Sequence, residues 1–294
     1  MTGVQTCALP IWFDANPGDV DWFDDAGWKE IADHFGISGW IAKQGGLKGI
    51  VFDAEPYAKP FAIFDYKAAL NRTKYTFAQY QEKARQRGRE TMKAFSLEYP
   101  DATILTFFLL SYLTKNDSWL GAVSPVDHPD ALLMHNYNLL PAFLDGWLDA
   151  APPTMTIVDG DENGYFYRTP EEFFVSATKT KSSALSLISP ENHTRYRTQV
   201  EVGFGVYLDA HAAVLKSRYY IPGADAEMLT KNVASALSAT DRYVWIYGEE
   251  GQFWPDAKEL SEWKAKAVSP PGIRFCREPL RRLGTPEIRK GQNF

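Results

Sequence analysis

The chain has 294 residues, 45% of them apolar and 23% charged, which is the composition of a globular protein with a sizeable core and is long enough for one large or two small domains. A net charge of −6 argues against nucleic acid as the partner, and with no run of 18 apolar residues there is no membrane span. Two cysteines, Cys7 and Cys276, cannot build a disulfide framework, and the five histidines show no HxH or HExxH spacing, so no metal site or cofactor is expected.

Residues Thr2 to Ile11, TGVQTCALPI, resemble a translated sequencing adapter, so 1–11 is read as a non-native leader and the natural chain as beginning further upstream. A signal peptide is therefore not observable. Trp12 to Asp25 is acidic, aromatic and rich in turn residues, and reads as a long loop with Asp24 or Asp25 at a helix N-terminus. Apolar residues at helical spacing from Trp28 to Lys43 predict a helix that Gly45–Gly46 stops. Gly49 to Tyr57, GIVFDAEPY, predicts a buried strand ending in two carboxylates. Alternation puts Val51, Asp53 and Glu55 on one face. Thr76 with Gln79 three residues on is a capping-box pattern, opening a helix lined by Phe77, Tyr80, Ala84, Met92 and Phe95.

Ala102 to Tyr112 predicts a second strand, Asp130 to Ala150 a helix, and Thr154 to Val158 a third strand ending in Asp159–Gly160–Asp161–Glu162. Glu171 to Ile188 predicts a helix, Gln199 to Leu208 a fourth strand ending in Asp209, and Ala226 to Ser238 a helix. Arg242 to Tyr247 predicts a fifth strand ending in Glu249 and Glu250, followed by a helix over Asp256 to Ala267. From Val268 the chain carries six Lys/Arg against two Asp/Glu and reads as a basic tail, 268–294. The sequons at Asn71, Asn116 and Asn192 are uninformative without a known compartment.

Five strands alternating with helices at roughly 45 to 50 residues predict a parallel α/β sheet. No Gly-rich phosphate turn follows the first strand, and four of the five strands end in carboxylates. Both features favour a (β/α)8 TIM barrel over a nucleotide-binding sheet. If the last strand closes the barrel, 12–267 is a truncated barrel domain holding strands four to eight, with the first strands missing.

Together, GLKGIVFDAEPY, IVDGDENGYFY, GFGVYLDA and YVWIYGEEGQFW resemble a bacterial glycoside-hydrolase-type (β/α)8 barrel over about residues 12 to 267. FDAE is similar to the end of the chitinase-type D-x-x-D-x-D-x-E motif, with Lys48 and Val51 standing where that motif has Asp. In the large clan of retaining glycosidases the acid/base Glu ends strand four, which implies that role for Glu55. Their nucleophile, a Glu ending strand seven, has no counterpart, because strand seven ends here in Asp209.

Glycoside hydrolysis needs two carboxyl groups, one protonated and one ionised. Glu55 is the expected general acid, with Asp53 raising its proton affinity by like-charge coupling. The second carboxylate is Glu162 or Glu249, Glu162 being favoured for its tight Gly160 turn and its flanking tyrosines, although strand-end acids also serve as turn and cap residues. Tyr57, Asp159, Asp161, Tyr165, Asp209, Trp245, Tyr247 and Trp254 are the expected substrate-binding residues, with core packing or capping as the alternative for each. The expectation is an O-glycoside hydrolase with a carbohydrate substrate, periplasmic or extracellular. The alternatives are a carbohydrate-binding barrel without turnover and a metal-dependent hydrolase.

Overall fold

The computed structural model describes residues 12–14, 20–55, 62–116 and 123–249. Tyr57, Glu250, Trp254, the helix expected over Asp256 to Ala267 and the basic tail lie outside the described residues. The fold is mixed α/β. Strands β1 (Trp12–Asp14), β2 (Gly49–Asp53), β3 (Thr103–Thr106), β4 (Thr156–Asp159) and β5 (Val200–Val202) form one parallel sheet in the order of the chain, so each strand lies beside its predecessor. Strands β6 (Phe204–Tyr207) and β7 (Val244–Tyr247) form a second parallel pair.

Helices α1 (Asp25–Gln44), α2 (Phe77–Glu98) and α3 (Leu140–Ala150) connect β1 to β2, β2 to β3 and β3 to β4. Helices α4 (Pro170–Lys181) and α5 (His193–Gln199) lie between β4 and β5, and α6 (Ala226–Ala239) joins β6 to β7. Among the described residues the strands do not close into a barrel, and β1 and β7 are not paired to each other.

Local signals placed most of these elements. The Asp24 side chain accepts from the backbone of Ala26 and Gly27 and starts α1. Thr76 and Gln79 form the expected capping box, with Tyr80, Ala84, Met92 and Phe95 fully buried along the inner face of α2. A second box, Thr169 with Glu172, starts α4 around Pro170.

Four expectations are corrected. Trp12–Asp14, read as loop, is strand β1, held by its register on Val51–Asp53. The strand expected over Ala102 to Tyr112 stops at Thr106, and Leu110–Leu113 is a 3-10 turn. The helix expected from Asp130 begins only at Leu140, after a separate 3-10 turn over Pro129–Met134. The segment Gln199 to Leu208, read as one strand, is two: Gly203 separates β5, which pairs with β4, from β6, which pairs with β7.

The main core lies between the sheet and α1–α3, and aromatic rings dominate it. Phe52 on β2 packs edge-on against Trp147 of α3, with ring centres 5.1 Å apart, and Phe35 and Phe143 close the group. A second core, around Phe173, Phe204, Val206, Leu229 and Val233, joins β6 and β7 to α4 and α6. At the edge of the main core, Arg85 of α2 makes two hydrogen bonds to Asp149 of α3, at 2.7 and 2.8 Å. The buried Asn192 amide donates to Asp145 and Asp149 in the same network, so its sequon is not open on the folded chain.

Candidate active site

The strand-end acids gather at one end of the fold because all the strands run parallel and all four sites follow strand C-termini. β2 ends at Asp53, which is fully buried, and its Oδ1 accepts the backbone N–H of Glu55 at 2.9 Å. This Asx-type turn takes the chain off the strand, so the alternation expected to carry Val51, Asp53 and Glu55 on one face ends at Asp53. Glu55 is half-buried beyond it.

β4 ends at Asp159, and the next residue must pass against β3. A Cβ on Gly160 would lie 2.1 Å from the Thr106 carbonyl oxygen, so only glycine fits there. The Gly160 carbonyl accepts from the Trp245 indole at 2.8 Å, and that ring stacks on Phe107 at 4.4 Å. Asp161 then takes a left-handed backbone with φ of 30°, and the chain enters a 3-10 turn over Glu162–Phe166.

Asp159 and Asp161, expected to bind substrate, are instead fully buried and serve the surrounding loops. Asp159 accepts from the backbone of Leu109 and Ser111 and from the Ser111 hydroxyl, which pins the segment after β3. Burial pushes its carboxyl up to about 6 against these hydrogen bonds. Asp161 accepts from Tyr167 Oη at 2.8 Å, Ser176 Oγ and Asn163 Nδ2, and Lys115 Nζ lies 3.9 Å away over the Tyr167 ring. Asp209 is also fully buried and accepts the backbone N–H of Glu249 at 2.9 Å.

Glu162 is different. It is half-buried, its N–H donates to the Phe107 carbonyl, and its carboxyl is pushed up to about 8. Burial is the largest cause, and the charges of Glu55 and then Asp53 add to it. The Tyr165 side chain, which favours the ionised form, opposes the rise. Two further phenols report on the same charge. Tyr137 is raised well above the usual range by burial, then by Glu55, Tyr112, Glu162 and Asp53. Tyr247 is raised to about 12 by burial and Glu249, with smaller effects from Glu162 and Asp209. Glu162 thus feels the charges of Glu55 and Asp53, and its own charge in turn raises Tyr137 and Tyr247.

The other expected residues fall around this centre. Glu249 is exposed and accepts from Tyr207 Oη at 3.0 Å and Tyr247 Oη at 3.3 Å. Tyr165 is buried among the rings of Tyr207, Trp245 and Tyr247. Sequence reasoning missed Tyr207 and Tyr137. Tyr207 is two residues before Asp209 and in register with Tyr247, so strand pairing gives a signal for it. Tyr137 lies between a 3-10 turn and α3, where no periodicity marks it, packed against Phe108, Tyr112 and His135.

Among the described residues no group of three or more His, Cys, Asp or Glu is placed to hold a metal ion. No described helix is long and apolar enough to cross a membrane. Comparison with protein-family models, with curated proteins and with solved structures gave no match.

Proposed function

We propose that the protein is a glycoside hydrolase built on a (β/α)8-type framework, with Glu162 as the general acid and Glu55 as the carboxylate facing it. The sheet order supports the framework. A doubly wound sheet reverses its strand order at a switch point, whereas β1 to β5 follow one another without reversal. Counting β5 and β6, which follow one another across Gly203, as one interrupted strand and β7 as the eighth makes β1 the third and β2 the fourth, so Glu55 keeps the strand-four position that the resemblance implied.

The observation that carries the reading is the placement of Glu162, half-buried just after the tight Gly160 turn that ends β4, where burial and the charges of Glu55 and Asp53 push its carboxyl up to about 8. Breaking a glycosidic bond requires a carboxylic acid that is still protonated at neutral pH, aimed at the leaving oxygen. It also requires a second carboxyl group, acting on the sugar as nucleophile or through a water as base. Glu162 suits the first part, so the acid role first expected of Glu55 moves to Glu162. Asp53 suits a supporting role, because its side chain turns Glu55 out of the strand and its charge adds to the proton affinity of Glu162.

The test is turnover of a panel of oligo- and polysaccharides by the wild type, Glu162→Gln and Glu55→Gln, with binding followed by calorimetry. Each variant is expected to lose at least 100-fold in kcat while retaining binding, the usual scale for an acid–base group. Binding by the wild type with no turnover of any substrate would favour a carbohydrate-binding barrel instead.

A further inference from the structure

A 3-10 turn over Asp209–His211 follows β6, and His211 at its end is buried. Its Nδ1 lies 2.8 Å from the Tyr207 carbonyl oxygen, which can only accept, so Nδ1 carries a hydrogen. On the other side of the ring, Nε2 lies 2.9 Å from Nδ2 of Asn232, a buried residue of α6. The same Asn232 nitrogen donates to the Tyr167 carbonyl oxygen at 2.7 Å, which fixes the orientation of the amide. Its two hydrogens therefore serve Tyr167 and His211, and Nε2 is a bare acceptor. His211 is thus the neutral Nδ1–H tautomer, set by a backbone carbonyl at each end of one chain of hydrogen bonds. That chain ties the end of β6 to α6, and α6 to Tyr167, whose phenol donates to Asp161 at the start of the Glu162 turn.

We propose that His211 is a pH-operated latch, which holds α6 to the segment of Tyr167 while its ring is neutral and releases it on protonation. A second proton would sit on Nε2 and point at the amide hydrogen of Asn232, donor against donor. Turning the amide over would aim its oxygen at the Tyr167 carbonyl, acceptor against acceptor. Turning the imidazole over would take Nδ1 off the Tyr207 carbonyl. No rotation of either side chain satisfies a doubly protonated ring, so the chain has to open at Asn232. Burial holds the proton affinity of the ring below the usual histidine range, against the Tyr207 carbonyl and the charge of Asp225. Among the described residues, α6 brings Asp225 at its N-cap and the pair Glu227 and Lys231 on its exposed side. The ring's own turn brings Asp209, which accepts the N–H of Glu249 from the end of β7. The segment after β4 brings Asp161, with Lys115 3.9 Å from it. As pH falls through 6.5 the unfolded chain gains this proton before the folded chain does, so His211 contributes stability above 6.5 that is lost on acidification. This runs opposite to Asp159 and Glu162, and one ring does not reverse the two acids.

The experiment is a nitrogen-15 NMR titration of the histidine rings from about pH 8 to about pH 4, with the side-chain amide of Asn232 followed alongside. His211 is assigned by its absence in His211→Gln. No substrate is needed, so the outcome is independent of the hydrolase reading. At the alkaline end the ring should show a protonated Nδ1 and a bare Nε2. Its midpoint should lie below 6.5, and the Asn232 amide signals should shift with the same midpoint. Over that range hydrogen exchange in α6, corrected for its intrinsic pH dependence, should lose about tenfold or more in protection, with α2 as the control. Asn232→Asp places an acceptor opposite Nε2 and should raise the midpoint by about one pH unit or more, a tenfold gain in proton affinity.

A ring protonated on Nε2 at the alkaline end overturns the inference, because Asn232 would then have no acceptor there. So does a ring that stays neutral throughout the titration, or one that titrates while α6 keeps its protection. A midpoint that is unmoved or lowered in Asn232→Asp shows that the amide does not oppose the second proton, and overturns it too. If Asn232→Asp does not fold, the titration and the exchange of the wild type decide.

Discussion

Gly160 shows how tightly the candidate acid is held. An added Cβ would lie 2.1 Å from the Thr106 carbonyl and 2.8 Å from the Trp245 indole nitrogen, and the first of these is backbone that cannot swing away. Gly160→Ala therefore has to push β4 off β3 or displace Trp245, which stands behind Tyr165. Overpacking of this kind costs about 2 to 3 kcal/mol. The expected outcome is a lower denaturation midpoint together with a turnover loss of more than tenfold, because the turn carrying Glu162 moves with it. Retention of full turnover in a destabilised Gly160→Ala protein would show that the Glu162 turn is not coupled to this crossing. The glycine was legible in the sequence as a tight turn before Glu162. That it is needed for close approach to β3 was not, because Thr106 is 54 positions away along the chain.

At the level of elements, the tightest crossing is that of α2 and α3. A Cβ on Gly88 would lie 2.1 Å from the Phe143 carbonyl, and one on Gly146 would lie 2.0 Å from the Arg85 carbonyl. The two helix backbones touch through this glycine pair, which also brings Arg85 onto Asp149. Gly88→Ala and Gly146→Ala should each cost about 2 kcal/mol or more, measured by urea denaturation, despite the better intrinsic helix propensity of alanine. A neutral or stabilised Gly88→Ala would mean that the helices can separate freely. Glycine inside a helix is visible in the sequence, but the partner that demands it is not. The same division runs through the other elements. Asp24 and the Thr76–Gln79 box were readable because a cap is satisfied within three residues. β1 and the break at Gly203 were not, since the three residues of β1 become a strand only by pairing with β2, and β5 and β6 separate only because their partners differ. For the candidate site, Asp53, Glu55 and Glu162 were readable as strand-end acids. Which of them holds the proton depends on burial and on the opposing charges, and these belong to the assembled fold.

Over the whole molecule, the buried acids make stability depend on pH in a definite direction. Glu162 rises from 4.5 to about 8 and Asp159 from 3.8 to about 6 on folding. Below the lower values both groups are protonated in the folded and unfolded chain alike, and neither opposes folding. As pH rises, the unfolded chain releases these protons first while the folded chain still holds them. Stability therefore falls from about pH 4 upward and levels off above about pH 8. At about 1.4 kcal/mol per pH unit the two groups remove on the order of 3 kcal/mol for Asp159 and 5 kcal/mol for Glu162. Asp149 acts in the opposite sense. Although burial raises it, its hydrogen bonds from Arg85, Asn192 and Arg89 prevail and hold it at about 2. Its contribution is present above its ordinary 3.8 and is lost as pH falls toward 2. The optimum should accordingly lie near pH 4 to 5, below neutrality. Denaturation measured from pH 3 to 9 should show this maximum, with Asp159 and Glu162 both contributing to the decline up to about pH 6 and Glu162 alone from about 6 to 8. Glu162→Gln should abolish the decline between about pH 6 and 8 and reduce its slope below pH 6, where Asp159 is then the only one of the two acids contributing. A Glu162→Gln protein with the wild-type slope between pH 6 and 8 would remove the protonated Glu162 on which the hydrolase reading depends.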